Sequence, residues 1–158
     1  MKIQLQKINF GRKRFLKTEP LNDFLNWMTH LAELKKFISN QSGFQIVGKK
    51  VYFEMSSPSI NPIMMLDVIG PPIPLEQNSL VLTDIEKCDR LVNKILDQDI
   101  FTMDQDSLLK TAWSLKKSLM GPNLKEEGEL SPIFHIVFNE EKIELHFFRQ
   151  KDYIQKQF

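Results

Sequence analysis

Residues 131–150, SPIFHIVFNEEKIELHFFRQ, constrain the fold more tightly than any other part of the chain. Phe134, Ile136 and Phe138 alternate with their neighbours, Asn139-Glu140-Glu141 interrupts, and Ile143, Leu145 and Phe147 resume the alternation. Period-two patterning on both sides of a short polar break predicts a β-hairpin. With Glu140-Glu141 as its two-residue loop, Phe134, Ile136 and Phe138 face Phe147, Leu145 and Ile143 across the strands, and His135 faces His146. One face of this hairpin is then apolar and must be covered, while the face carrying the two histidines is expected to be wet.

The rest of the chain supplies the cover. Residues 2–10 alternate and then change phase at Ile8 and Phe10, as a short bulged strand would. Between residues 20 and 40, Leu21, Phe24, Leu25, Met28, Leu31, Ala32 and Ile38 recur at helical spacing, with Thr18 as a cap and Pro20 in the first turn. Residues 44–55 read as a hairpin or one bulged strand around Gly48-Lys49. Pro58, Pro62, Pro71, Pro72 and Pro74 make a semi-rigid loop around a short strand at 63–69. Thr83-Asp84-Ile85-Glu86 is a capping box, and Ile85, Cys88, Val92, Ile95 and Leu96 predict a helix behind it. A third helix is expected from about residue 105 to 120, capped by Asp104 or Thr102 and stopped by Gly121-Pro122. The expected fold is α+β in a single globular domain, residues 1–158: an antiparallel sheet of about five to six strands with three helices packed mainly on one face.

Several classes of function fall away. At 158 residues and 42% apolar content the chain can bury a core without staples, and its single cysteine, Cys88, allows neither an intrachain disulfide nor a multi-cysteine zinc site. The N-terminal residues lack the apolar run of an export signal, and the longest uncharged apolar stretch, residues 60–66, is far short of the ~20 residues that span a bilayer. A cytoplasmic location without a membrane partner is the expectation. No P-loop, dinucleotide-binding glycine motif or nucleophile elbow occurs, so no cofactor is expected. The acid-rich segment 97–106 fails as a calcium loop, because Phe101, Thr102 and Leu108 fall where a donor, a glycine and a bidentate carboxylate belong. Cys88 reads as a buried inert thiol and His30 as a solvated helix residue.

Three groups of residues remain as candidate sites. Ile60, Met64, Met65, Ile69 and Ile73 sit in the proline-rich segment, where adaptable methionines suit a partner surface. Arg12, Lys13, Arg14 and Lys17 belong to an N-terminal stretch, residues 1–18, that carries six basic residues and no acid. Such a cluster suits phosphate contacts, although a sequence pI of 7.8 is low for a dedicated nucleic-acid domain. His135 and His146, with Glu144 on the same face, are weak metal candidates that lack a third ligand. The leading expectation is a non-catalytic protein-binding accessory protein of the inhibitor, immunity, chaperone or adaptor type, with another protein as partner. The alternative is a nucleic-acid-binding accessory protein using Arg12–Arg14, and the third is a metal-dependent enzyme around the two histidines.

Overall fold

The computed structural model describes residues 6–41, 43–72, 80–86, 88–99, 104–119, 130–140 and 142–158. Ten strands occur among them: β1 (Gln6–Phe10), β2 (Lys13–Pro20), β3 (Gln45–Ile46), β4 (Val51–Met55), β5 (Ile63–Ile69), β6 (Val81–Ile85), β7 (Cys88–Asp99), β8 (Phe134–Asn139), β9 (Lys142–Phe148) and β10 (Gln155–Gln157). Two α-helices accompany them, α1 (Trp27–Ser39) and α2 (Gln105–Leu119), with a single 3-10 turn at Phe24–Asn26 ahead of α1. Every pairing is antiparallel, and nine strands line up in the order β1-β7-β9-β8-β4-β5-β2-β6-β10, with β3 attached to β5.

This corrects the expected architecture in two respects: the sheet is larger, and there is one helix fewer among the described residues. The capping-box segment is strand. Thr83 and Ile85 are buried in β6, and Cys88, Val92, Ile95 and Leu96 belong to β7, the longest of the described strands. Leu91, Asn93 and Ile95 stand at register positions opposite Phe147, Leu145 and Ile143 of β9. The same residues satisfy a helical and a period-two template, and a long apolar partner strand decides between them. The first helix also begins later than expected. Thr18 and Pro20 lie in β2, Asp23 caps the 3-10 turn by accepting from the Leu25 amide at 2.9 Å, and α1 starts at Trp27.

Strands β2, β6 and β10 were not expected, whereas the following elements stand where the pattern put them. The hairpin β8–β9 pairs His135 with His146 and Phe138 with Ile143. Glu140 takes a left-handed φ of 57° in its turn. Residues 45–55 form one interrupted strand, both of whose pieces run antiparallel to β5. Gly48, with φ +69°, occupies the break, a conformation that costs glycine nothing. Asp104 caps α2, accepting from the Asp106 amide at 3.1 Å.

Strand alternation divides the buried residues into two faces. On one, Leu16, Phe53, Met64, Leu66, Leu82, Phe134, Ile136, Phe138, Ile143, Leu145 and Phe147 pack against Trp27, Leu34 and Ile38 of α1 and Leu108, Ala112 and Leu115 of α2. On the other lie Phe15, Tyr52, Met65, Ile85 and Val137, interleaved with Lys17, Glu54, His135, Glu144 and His146. The last ten residues strap this second face. After β9, Tyr153 reaches His135 and Phe148, Gln155 reaches Lys17 and Glu54, and β10 pairs with β6.

Candidate partner-binding cleft

The two histidines share a face as expected, but that face is not wet: both imidazoles are fully buried. Tyr153 of the strap packs on His135 and Tyr52 on His146, long-range contacts that strand alternation cannot report. Each ring has its own partner. His135 Nε2 is 2.9 Å from the Tyr153 hydroxyl, which also accepts from Gln155 Nε2 at 3.0 Å. His146 Nε2 is 2.9 Å from Glu144 Oε1, while Asn139 donates to Glu144 Oε2 at 3.0 Å. The hydrogen bond from His146 is the largest influence on Glu144, and with Asn139 and the positive charge of Lys50 it outweighs burial and lowers the carboxyl to about 2. Since a carboxylate only accepts, His146 carries its proton on Nε2. Among the described residues no three His, Cys, Asp or Glu side chains are placed to hold a metal ion. The hydrogen bonds of this cluster join buried polar groups to one another, His135 to Tyr153 and His146 to Glu144.

Met64 and Met65 are fully buried as well, on opposite faces of the sheet, Met64 in the helix-covered core and Met65 beneath the strap. They form no exposed patch, because consecutive residues of a central strand covered on both sides have no solvent-facing side. Ile60 and Ile69 are exposed, and Ile73 lies outside the described residues. Cys88 stands in β7 and not on a helix, and its thiol lies outside what the structure describes. His30 is half-buried on α1, where it lines a pocket of about 310 Å³ with Glu33, Phe37 and Leu80.

The basic segment does not form a row of uncompensated cations. It starts β2, and each of its four candidates meets an acid from a distant strand. Arg14 binds Asp84 of β6 side-on, Nε to Oδ1 at 2.6 Å and one Nη to Oδ2 at 2.8 Å, and its other Nη donates to the Gly70 carbonyl. Arg12 joins the same Asp84 oxygen. Lys13 pairs with Asp67 at 3.1 Å and Lys17 with Glu54 at 2.6 Å. The hydrogen bond from Arg14, aided by that from Arg12, holds the buried Asp84 carboxyl below its ordinary range against the opposing effect of burial, and Asp84 in turn raises Arg14.

The pairs made by Arg12, Arg14 and Lys13, but not Lys17–Glu54, line a cleft of about 440 Å³ formed by Arg12, Lys13, Arg14, Val47, Asp67, Val68, Ile69, Gly70 and Asp84. It opens because β2 and β5 part company. Their pairing begins at Phe15 and Asp67, whereas β2 is bonded to β6 from Lys13 onward and the end of β5 turns to β3. Val47 follows β3, its amide bonded to the Asp67 carbonyl, and with Ile69 it gives the cleft an apolar lip, 37% and 64% exposed. Two sets of residues that the sequence offers as rivals, the basic triplet and Ile69, therefore meet at one place. Asp67, Asp84, Val47 and Gly70 were not foreseen, since strand pairing across dozens of residues brings them there. Comparison with known proteins adds nothing to this geometry: no family model, curated protein or solved structure matches the chain.

Proposed function

We propose that the protein acts without catalysis by binding another protein at this cleft, as an inhibitor, immunity factor, chaperone or adaptor does. The observation that carries the reading is the presence in one cleft of exposed apolar side chains, Val47 and Ile69, and of charged walls in which Arg12 and Arg14 share Asp84 and Lys13 pairs with Asp67. Interfaces with proteins combine apolar contact area with directed polar groups, and arginine is enriched in them. Nucleic-acid binding relies instead on several cations that neutralise phosphates, and of the four candidates Lys13, Arg14 and Lys17 are each engaged with an acid of the chain, while Arg12, held to Asp84 through one Nη, is a single half-exposed cation. The buried His135 and His146 offer no surface to a substrate. Among the described residues no helix is long and apolar enough to cross a membrane.

Co-purification from the native host, with nuclease treatment and three baits, tests the reading. The unaltered chain should retain a protein that Ile69→Asp loses and that Leu25→Asp, on the exposed start of the α1 region, keeps. Retention by all three baits alike, or a product removed by nuclease, would refute it.

A further inference from the structure

The charges around the cleft do not cancel, and where the excess sits indicates what the partner presents. Asp84 is buried and serves two guanidinium groups, while Lys13 and Asp67 balance each other. Lys156 stands opposite Asp84 across β6 and β10 and adds another cation to that end of the sheet. Arg14 is spent: it chelates Asp84, donates to the Gly70 carbonyl and lies 5.2 Å from the centre of the Phe158 ring. Arg12 is not. Among the described residues it makes one contact, through a single Nη to Asp84, and its side chain is 53% exposed. A guanidinium held at one corner keeps further donors in fork geometry, which matches a carboxylate. Beside it, Ile69 and Val47 provide bare apolar surface within the same cleft lining.

We infer that the cleft recognises a carboxylate carried next to an apolar side chain on the partner protein, with Arg12 binding the carboxylate and Ile69 and Val47 the apolar group. This deepens the partner-binding reading and rests on it. A side-chain carboxylate and a chain-terminal one share the chemistry, whereas a sugar-phosphate backbone lacks the apolar element that the lip accommodates. The burial of Asp84 makes it the fixed counter-charge, so binding needs no rearrangement of Arg14, only a second partner for Arg12.

Titration of the 15N-labelled chain separates these sources. The probes are Ac-Leu-Glu-NH2, Ac-Gln-Leu-OH, the neutral Ac-Leu-Gln-NH2 and a hexathymidylate. At least one of the two carboxylate peptides should give saturable shifts at the Val47, Ile69 and Gly70 amides, with the neutral peptide weaker by about tenfold or more. Arg12→Gln should lose a similar factor while its spectrum away from the cleft stays that of the unaltered chain, and Arg12→Lys should recover part of it. Equal binding of the neutral peptide, undiminished binding by Arg12→Gln, preferential binding of the oligonucleotide at these amides, or no response to either carboxylate peptide would each overturn the inference. If the peptides fail while co-purification still depends on Ile69, carboxylate recognition falls and partner binding stands. If co-purification fails as well, both fall.

Discussion

Glu144 gives the second face its clearest dependence on pH. Its carboxyl is lowered from 4.5 to about 2 by the hydrogen bond from His146, with help from Asn139 and Lys50 and against burial. A folded-state value below the unfolded one contributes stability that is complete above about 4.5 and is lost as pH falls towards 2, on the order of 3 kcal/mol. Urea unfolding across that window should show the loss, and Glu144→Gln should flatten its share. Asp84 acts in the same direction through Arg14 and Arg12, so some acid dependence should survive in the variant. Removing Asp84 itself strands a side-on guanidinium that was built around it. We expect Asp84→Asn to cost about 3 kcal/mol or more, and Arg12→Gln, at a half-exposed residue, less than about 1 kcal/mol, in the same unfolding assay. That His135 faces His146 was legible, because register follows from the turn and the alternation. Their burial was not, since it depends on Tyr153 and a strap that pairs with β6, far away in sequence.

Elements divide by whether their signal is local. Helix α2 announces itself through Asp104 and the spacing of Leu108, Ala112 and Leu115, and its described bounds match the pattern. Strand β7 does not, because Val92, Ile95 and Leu96 fit a helix as well as a strand and only the unseen partner β9 discriminates. Where a local rule is broken the structure shows a cost that can be recovered. Glu140 holds φ 57° in the β8–β9 turn, a region that disfavours side chains with a Cβ, so Glu140→Gly should raise the unfolding free energy by roughly 0.5–1 kcal/mol. Helix α2 also buries Lys116, whose ammonium meets the Pro132 carbonyl and the rings of Trp113 and Phe134. Burial lowers its pKa from 10.5 to about 8. Between those values the unfolded chain binds more protons, so stability should rise as pH climbs from about 8 to 10.5. Lys116→Met should remove that rise and hold its stability at neutral pH or improve it, as calorimetry or urea titration would show.

At the scale of the whole molecule, a long antiparallel sheet is covered on one face by two helices and on the other by its own last ten residues. The sheet ends at β1 and β10, and Lys7 and Lys156 on those edge strands fit the use of lysine to discourage edge-to-edge pairing. The polar cluster that resembles machinery in the sequence is sealed inside this arrangement, and the exposed Val47 and Ile69 meet charged side chains where β2 and β5 separate. Contact at that rim is the central claim, and a photo-reactive benzoylphenylalanine introduced at position 69, with position 25 as the control, tests it most directly. On irradiation in the native host, position 69 should yield a covalent adduct with a discrete protein and position 25 should not. Adducts from both positions alike, or none from position 69, would contradict the account.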